Sequence, residues 1–365
     1  MSGVIGRAWR GLGRIGLSLG LLMLGASVIA QPQGLGQAQG LGQSPGLGPS
    51  PGVPLSPVEV SAWLGRIQQA AANSSYQGTL MFSAGGVAAS SRVTHICDGR
   101  QRYERIETLD GRARLQYRHN GQLLTLWPAS KQARIEQRDP VAEFPALPAI
   151  ASQRALDFYD IGLLARDRIA GREAEVLLLK PRDKLRFAQR LWADRETGLL
   201  LRNDVLSPTG ETLESSAFSD IHLGGKWSID SVLGPMKRLD GYRVQRSLAE
   251  RTQVDAEGWI LAHPVPGFAL VSCSKRPLDV GTGADAVADA SAPVQVLQSV
   301  FSDGLAHVSV FIEPFDALRH KQAMGTILGA THTLTSRRGD WWLTVVGEVP
   351  MVTVQQFEAL FERKR

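Results

Sequence analysis

Three turn pairs, Asp98-Gly99, Asp110-Gly111 and Asn120-Gly121, recur about ten residues apart. Pairs of this kind accept the positive backbone angles that a tight antiparallel hairpin requires. The stretches between them, 100–107 and 112–119, have strand length. Thr197-Gly198 and Thr209-Gly210 carry the rhythm on, past strand-like segments at 176–180 and 187–192. This spacing predicts an antiparallel meander that curves into a large sheet or partly closed barrel.

The meander opens on a helix. Ser56-Pro57-Val58-Glu59 reads as a capping box with proline at the first helical position. Val60, Trp63, Leu64, Ile67 and Ala71 follow at helical spacing, and Asn73-Ser74-Ser75 ends the run. From Tyr76 the period changes to two. A proline-rich stretch at 140–148 interrupts the strands and is long enough to expect a lid or flap there.

Beyond Leu223-Gly224-Gly225 the pattern lapses, so 223–258 is expected to be a linker. Strands resume at Trp259. Segments 296–301 and 306–312 flank Ser302-Asp303-Gly304, and 331–336 and 341–346 flank Gly339-Asp340. A second capping box at Thr353–Gln356 is expected to open a terminal helix lined by Val354, Phe357, Leu360 and Phe361. Residues 277–293 are expected to form a surface loop. The sequence therefore divides into a large domain at 58–222 and a smaller α+β domain at 259–365.

Charge first suggests a nucleic-acid binder, since the chain carries +5 and has a pI near 9.4. Its distribution argues otherwise. Arg7, Arg10 and Arg14 precede an uncharged apolar run from Ile15 to Ala30, the pattern of a secretory signal cleaved near Ala30. The run is short and glycine-interrupted for a membrane span. Without residues 1–30 the charge falls to +2. Residues 31–57, rich in Gly, Pro and Gln and free of charge, are expected to be a disordered tether.

Catalytic motifs are missing. The seven histidines show no metal-binding spacing, and no GxSxG elbow occurs. Ser272-Cys273-Ser274-Lys275 contains SxxK without its companion motifs. We therefore expect no enzyme, metal or cofactor. Cys97 and Cys273 fall in different domains, either as separate thiols or as a bridge.

Two arginine-rich clusters stand out: Arg100, Arg102, Arg105, Arg112, Arg114 and Arg118, and then Lys180, Arg182, Lys184, Arg186 and Arg190. Guanidinium groups brought to one sheet face would suit phosphate oxygens. The alternative is a solvated face with cross-strand ion pairs. No aromatic residues interleave as a single-strand nucleic-acid platform would need.

Several long stretches resemble the RseB/MucB family of periplasmic negative regulators of the envelope-stress (sigma-E/AlgU-type) sigma factor. They are YQGTLMF (76–82), RVTHICDGRQRYERIETLDGRARLQYR (92–118), LWADRETGLLLRNDVLSPTGETLESSAFSDI (191–221), VFSDGLAHVSVFIEP (300–314) and LTVVGEVPMVTV (343–354). The resemblance runs over about 58–363 in order. It implies a LolA-like unclosed barrel beside a smaller domain that binds the periplasmic part of a membrane-spanning anti-sigma factor. Such a protein would shield that factor from proteolysis and be released by lipid A, lipopolysaccharide or another lipid, and a homo-oligomer is possible in such a family. The alternative function is a periplasmic lipid or lipoprotein carrier without a regulatory partner.

On this reading Leu80, Phe82, Tyr117, Leu126 and Trp127 are candidates for a lipid cavity, with Arg112, Arg114 and Arg118 at its rim. Phe268, Phe301, Trp341 and Trp342 are candidates for the partner surface. Adjacent tryptophans on a strand point to opposite faces, so one of the last two is expected outside the core.

Overall fold

The computed structural model describes residues 52–137, 156–247, 249–277 and 294–364. The signal segment, most of the tether, the 140–148 insert and most of the 277–293 loop lie outside them. In chain order the large domain contains β1 (Val53–Pro54), α1 (Pro57–Asn73), β2 (Tyr76–Ala84), β3 (Val87–Cys97), β4 (Arg102–Thr108), β5 (Leu115–His119), β6 (Gln122–Trp127) and β7 (Gln132–Gln137). It continues through β8 (Tyr159–Leu163), β9 (Asp167–Ile169), β10 (Arg172–Pro181), β11 (Ala188–Asp194), β12 (Leu200–Leu206), β13 (Thr212–Leu223), α2 (Asp230–Lys237) and β14 (Arg243–Ser247). The second domain holds β15 (Glu250–Arg251), β16 (Trp259–Leu261), β17 (Ala269–Pro277), β18 (Gln295–Ser302), β19 (His307–Pro314), β20 (Met324–Leu328), β21 (Thr331–Arg338), β22 (Trp341–Gly347), α3 (Met351–Leu360) and β23 (Phe361–Arg363).

The turns behave as the spacing predicts. Gly99, Gly111, Gly121, Gly198 and Gly210 all have positive φ. Asn120 joins Gly121 in the left-handed region, which closes a two-residue hairpin between His119 and Gln122. These hairpins build a 14-stranded sheet ordered β1-β8-β10-β11-β12-β13-β2-β3-β4-β5-β6-β7-β14, with β9 on the side of β10. Its two ends do not pair with each other, so the barrel is unclosed, as expected of this α+β fold.

Helix α1 starts where the capping box places it: Glu59 N–H meets the Ser56 hydroxyl, and the Glu59 carboxylate accepts from Ser56 N–H at 2.8 Å. Val60, Leu64, Ile67, Ala70 and Ala71 are buried, and the helix lies across β8, β10, β11 and β12 through Ile161, Leu177, Leu179, Leu191 and Leu200. The end of the tether is part of this structure. Val53-Pro54 pairs with β8, and Leu55 N–H donates to the Ile161 carbonyl at 3.1 Å. Proline on that outermost strand discourages further pairing.

The expected linker is also structural. Within 223–258, α2 seals a second core over the other half of the sheet. Val232 is fully buried, and Trp227, Ile229, Leu233, Met236 and Tyr242 surround it against Ile96, Tyr103, Tyr117, Leu124 and Leu126. β14 then pairs in parallel with β7 and ends the sheet. The helix escapes a sequence reading because it is short and carries Pro235 inside. Its stability comes from the face it buries rather than from propensity.

The second domain is a seven-stranded sheet, ordered β15-β17-β18-β19-β22-β21-β20, with α3 packed on one face. α3 begins at Met351, after Pro350, without a side-chain cap. The Thr353 hydroxyl does not cap this helix. It donates to the Leu185 carbonyl of the large domain at 2.7 Å.

Candidate functional site

Strand alternation divides the lipid-cavity candidates between the two faces of the large sheet. Tyr117 and Leu126 lie on the face that α2 covers and are buried beneath it. Leu126 and Trp127 are consecutive, so Trp127 turns to the opposite face, where Arg134 lies over its ring. Leu80 also faces away from α2. It packs beside Val93 and Phe218 in the core reached by Ala70 and Ala71 of α1, and Phe82 sits two residues along on the same side. The five residues therefore do not line one cavity. The physical reason is α2, which fills the space that Tyr117 and Leu126 would otherwise open.

The face carrying Leu80, Phe82 and Trp127 becomes polar across β3 to β7. The cross-strand partners His95, Glu104, Arg118, Leu123 and Glu136 form one row across it. Arg118 lies 3.2 Å from Glu104, and His95 3.8 Å from the same carboxylate. Burial alone would raise the Glu104 pKa, but the Arg118 charge and His95 overcome it and hold it at about 2. Arg118 is thus committed within the sheet and does not project from a rim. Arg112 is exposed and Arg114 is half-buried, so the rim candidates do not act as one group.

The partner-surface candidates fare similarly. Phe268 and Phe301 are 6% and 4% exposed, and both pack on Phe357 of α3. Trp341 lies against the same core, edge-on to Trp259, with the Arg363 guanidinium over it. Trp342 points to the other face, as alternation requires, yet it is 6% exposed. The His320 ring stacks flat on it at 4.7 Å and Phe315 flanks it. That segment is fastened by Arg319 to Glu313 at 3.0 Å and to Asp316 at 2.8 Å. The expectation that one tryptophan leaves the core fails because this loop covers the second face.

The second arginine cluster does not act as one group either: Lys180, Arg182 and Lys184 are exposed, and Arg186 is buried. Arg182 pairs with Asp160, and Arg190 lies over Trp192. Arg186 is fully buried between the two domains. Its Nε donates to Asp303 Oδ2 at 2.5 Å, another nitrogen donates to the Pro266 carbonyl at 2.7 Å, and Asp183 supplies a second carboxylate. The guanidinium stacks between Phe158 of the large domain and Phe268 of the second. Asp303 also accepts from the Tyr159 hydroxyl at 3.0 Å and from Leu305 and Ala306 N–H. Leu305, at the tip of the same hairpin, is buried among Val60, Leu64, Ile161 and Leu177 of the large domain. A loop of the second domain is therefore built into the first domain's core.

This joint is the feature that sequence reading missed. Ser302-Asp303-Gly304 reads as an ordinary hairpin turn, and Arg186 reads as one of five cations. A second contact lies nearby, where Phe187, Val205 and Leu213 enclose Ala330 and the His332 ring meets Phe187 edge-on at 5.7 Å.

Among the described residues no group of three or more His, Cys, Asp or Glu side chains is placed to hold a metal ion. Nor, among the described residues, is any helix long and apolar enough to cross a membrane. Cys97 and Cys273 are separate free thiols.

The architecture is that of a two-domain α+β protein, an unclosed sheet whose smaller partner is locked to it through buried charge. Residues 59–237 match the MucB/RseB N-terminal domain, and 253–361 match the MucB/RseB C-terminal domain. The chain belongs to the MucB/RseB family. It is 31% identical to the sigma factor AlgU regulatory protein MucB of Pseudomonas aeruginosa, over 82% of this chain and 89% of that protein. It is 30% identical to the sigma-E factor regulatory protein RseB of Escherichia coli, over 59% of this chain and 63% of the relative. Among solved structures, MucB in complex with MucA(peri) aligns with a TM-score of 0.61 and 26% identity, over 84% of this chain and 99% of that one.

Proposed function

We propose that this protein is exported to the periplasm and restrains an envelope-stress sigma factor. It would do so by binding the periplasmic part of a membrane-spanning anti-sigma factor and shielding it from proteolysis. The observation that carries this reading is the match to the MucB/RseB family through both domains, together with a 0.61 TM-score alignment to MucB bound to MucA(peri). The joint supports it physically. A buried ion pair and the Leu305 plug fix the two domains relative to each other, so a partner spanning both meets a preorganised surface. Binding, not catalysis, is the activity.

Lipid or lipopolysaccharide is the proposed releasing signal. The face bearing Leu80, Phe82 and Trp127 is the proposed lipid contact, with exposed Arg112 and half-buried Arg114 as proposed headgroup partners, and Tyr117 and Leu126 drop out because α2 covers them. Lipid that lowers partner affinity must itself be displaced by the partner, by linkage.

The test uses residues 31–365 and the periplasmic fragment of the cognate anti-sigma factor. Complex formation should slow cleavage of that fragment by a periplasmic protease, and lipopolysaccharide fragments should restore cleavage. A fragment cleaved equally fast with and without the protein would overturn the regulatory reading. Unchanged affinity at saturating lipopolysaccharide would overturn the lipid signal alone.

A further inference from the structure

Two acidic side chains lie close enough at the second contact between the domains for the charge of one to act on the other. Glu214, on β13, is 5% exposed, and its Oε2 has no hydrogen-bond partner. Its cross-strand neighbours are Ala84 on β2 and Val205 on β12. Both of these touch the second domain. Val205 packs with Ala330, and a side chain at Gly329 would meet Ala84 Cβ and the Leu213 carbonyl at 2.7 Å. Glu348 approaches from the other side, directly after Gly347, whose strand partners are Val308 and His332. The two domains therefore close over Glu214, with half-buried Glu348 beside the contact.

The surroundings offer no compensating cation among the described residues. From β21, His332 faces the contact with an unpartnered Nδ1, and burial holds its pKa down. At the start of β19, His307 is likewise kept low by burial, partly offset by Asp303. Arg186 is committed to Asp303 and Asp183. On β12, Asp204 turns to the opposite face, where Arg202 and Ser215 hold it. Burial, and then repulsion from Glu348, raises Glu214 well above the carboxylate range, and burial raises Glu348. A buried carboxylate next to a second negative charge cannot ionise cheaply.

We propose that Glu214 and Glu348 form a proton-operated latch between the two domains, whose ionisation releases the second domain from the large sheet. This latch does not depend on what the protein binds. Its sign follows from proton counting. Above the ordinary carboxylate range the docked state holds a proton that the open state has lost, so docking weakens by up to about tenfold per pH unit for each proton retained. His307 and His332 act oppositely, since opening lets them charge as the pH falls below about 6.5. Docking is therefore firmest at mildly acidic pH and loosens towards alkaline pH.

The test follows the distance between fluorophores on the two domains of residues 31–365, from about pH 6.5 to about pH 9.5, a range that spans documented buried glutamates. The wild-type protein should open progressively as pH rises, and Glu214→Gln should remain docked with a much flatter profile. Glu348→Gln, at a half-buried position, serves if the first variant does not fold. Infrared spectra supply the second readout: a protonated-carboxyl band should persist above neutral pH and lose intensity in either variant. A pH-independent distance, or a Gln variant that keeps the wild-type slope and the band, would refute the latch.

Discussion

Replacing Asp303 with alanine should loosen the joint more than any surface change of similar size. The carboxylate is fully buried and accepts from Arg186, Tyr159, Leu305 N–H and Ala306 N–H at 2.5–3.0 Å. Its loss leaves the Arg186 cation with Asp183 and one carbonyl in a site walled by Phe158 and Phe268. Removing one partner of a buried pair costs about 3–5 kcal/mol, and each orphaned donor adds about 1 kcal/mol or more unless water reaches it. Against a typical domain stability of about 5–15 kcal/mol, that is a large fraction. Replacing both partners at once, as Arg186→Met with Asp303→Leu, should cost much less than the two single changes together, because no charge is left unpaired. Urea unfolding followed by tryptophan fluorescence measures all four corners of this cycle. An Asp303→Ala protein within about 0.5 kcal/mol of wild type, the range of ordinary surface substitutions, or costs that simply add, would show that the buried pair does not hold the joint.

Other outcomes follow from individual residues. Glu104 is held at about 2 in the folded state, so its contribution is present at neutral pH and is lost as pH falls from about 4.5 towards 2. Glu104→Gln should lower stability by up to about 3 kcal/mol at neutral pH and flatten the acid limb of a urea-midpoint titration, and an unaltered acid limb would contradict the assignment. Trp342→Ala should destabilise the second domain by about 3–5 kcal/mol in thermal unfolding, since His320 and Phe315 enclose the ring. A fully stable variant would return Trp342 to the surface. Non-reducing denaturation should release two titratable thiols per chain, with half-buried Cys97 labelled first in the native protein and Cys273 slowed by burial, which raises its pKa.

The local code was legible wherever one short motif fixes one conformation. Ser56 to Glu59 announces α1, and Asn120-Gly121 announces a hairpin in the observed register, because capping and positive φ are decided within a few residues. The second capping box misled for the same reason in reverse. Thr353 satisfies a carbonyl 168 residues away, and nothing local records that preference. Burial was harder to read. Phe301 and Trp342 look equally suited to a core or an interface, since their hydrophobicity does not say what covers them.

Sequence by itself carried the family, the antiparallel architecture and the likeness to sigma factor regulatory proteins. These depend on turn spacing, periodicity and long ordered motifs, all carried along the chain. Only the tertiary structure decided that the chain from 223 to 247 completes the large sheet and its core, that the lipid candidates part to opposite faces, and that Arg186 meets Asp303 across 117 residues. Such contacts are set by which surfaces come together to exclude water. A buried charge, unlike a turn, acquires its meaning from a partner that the local sequence never names.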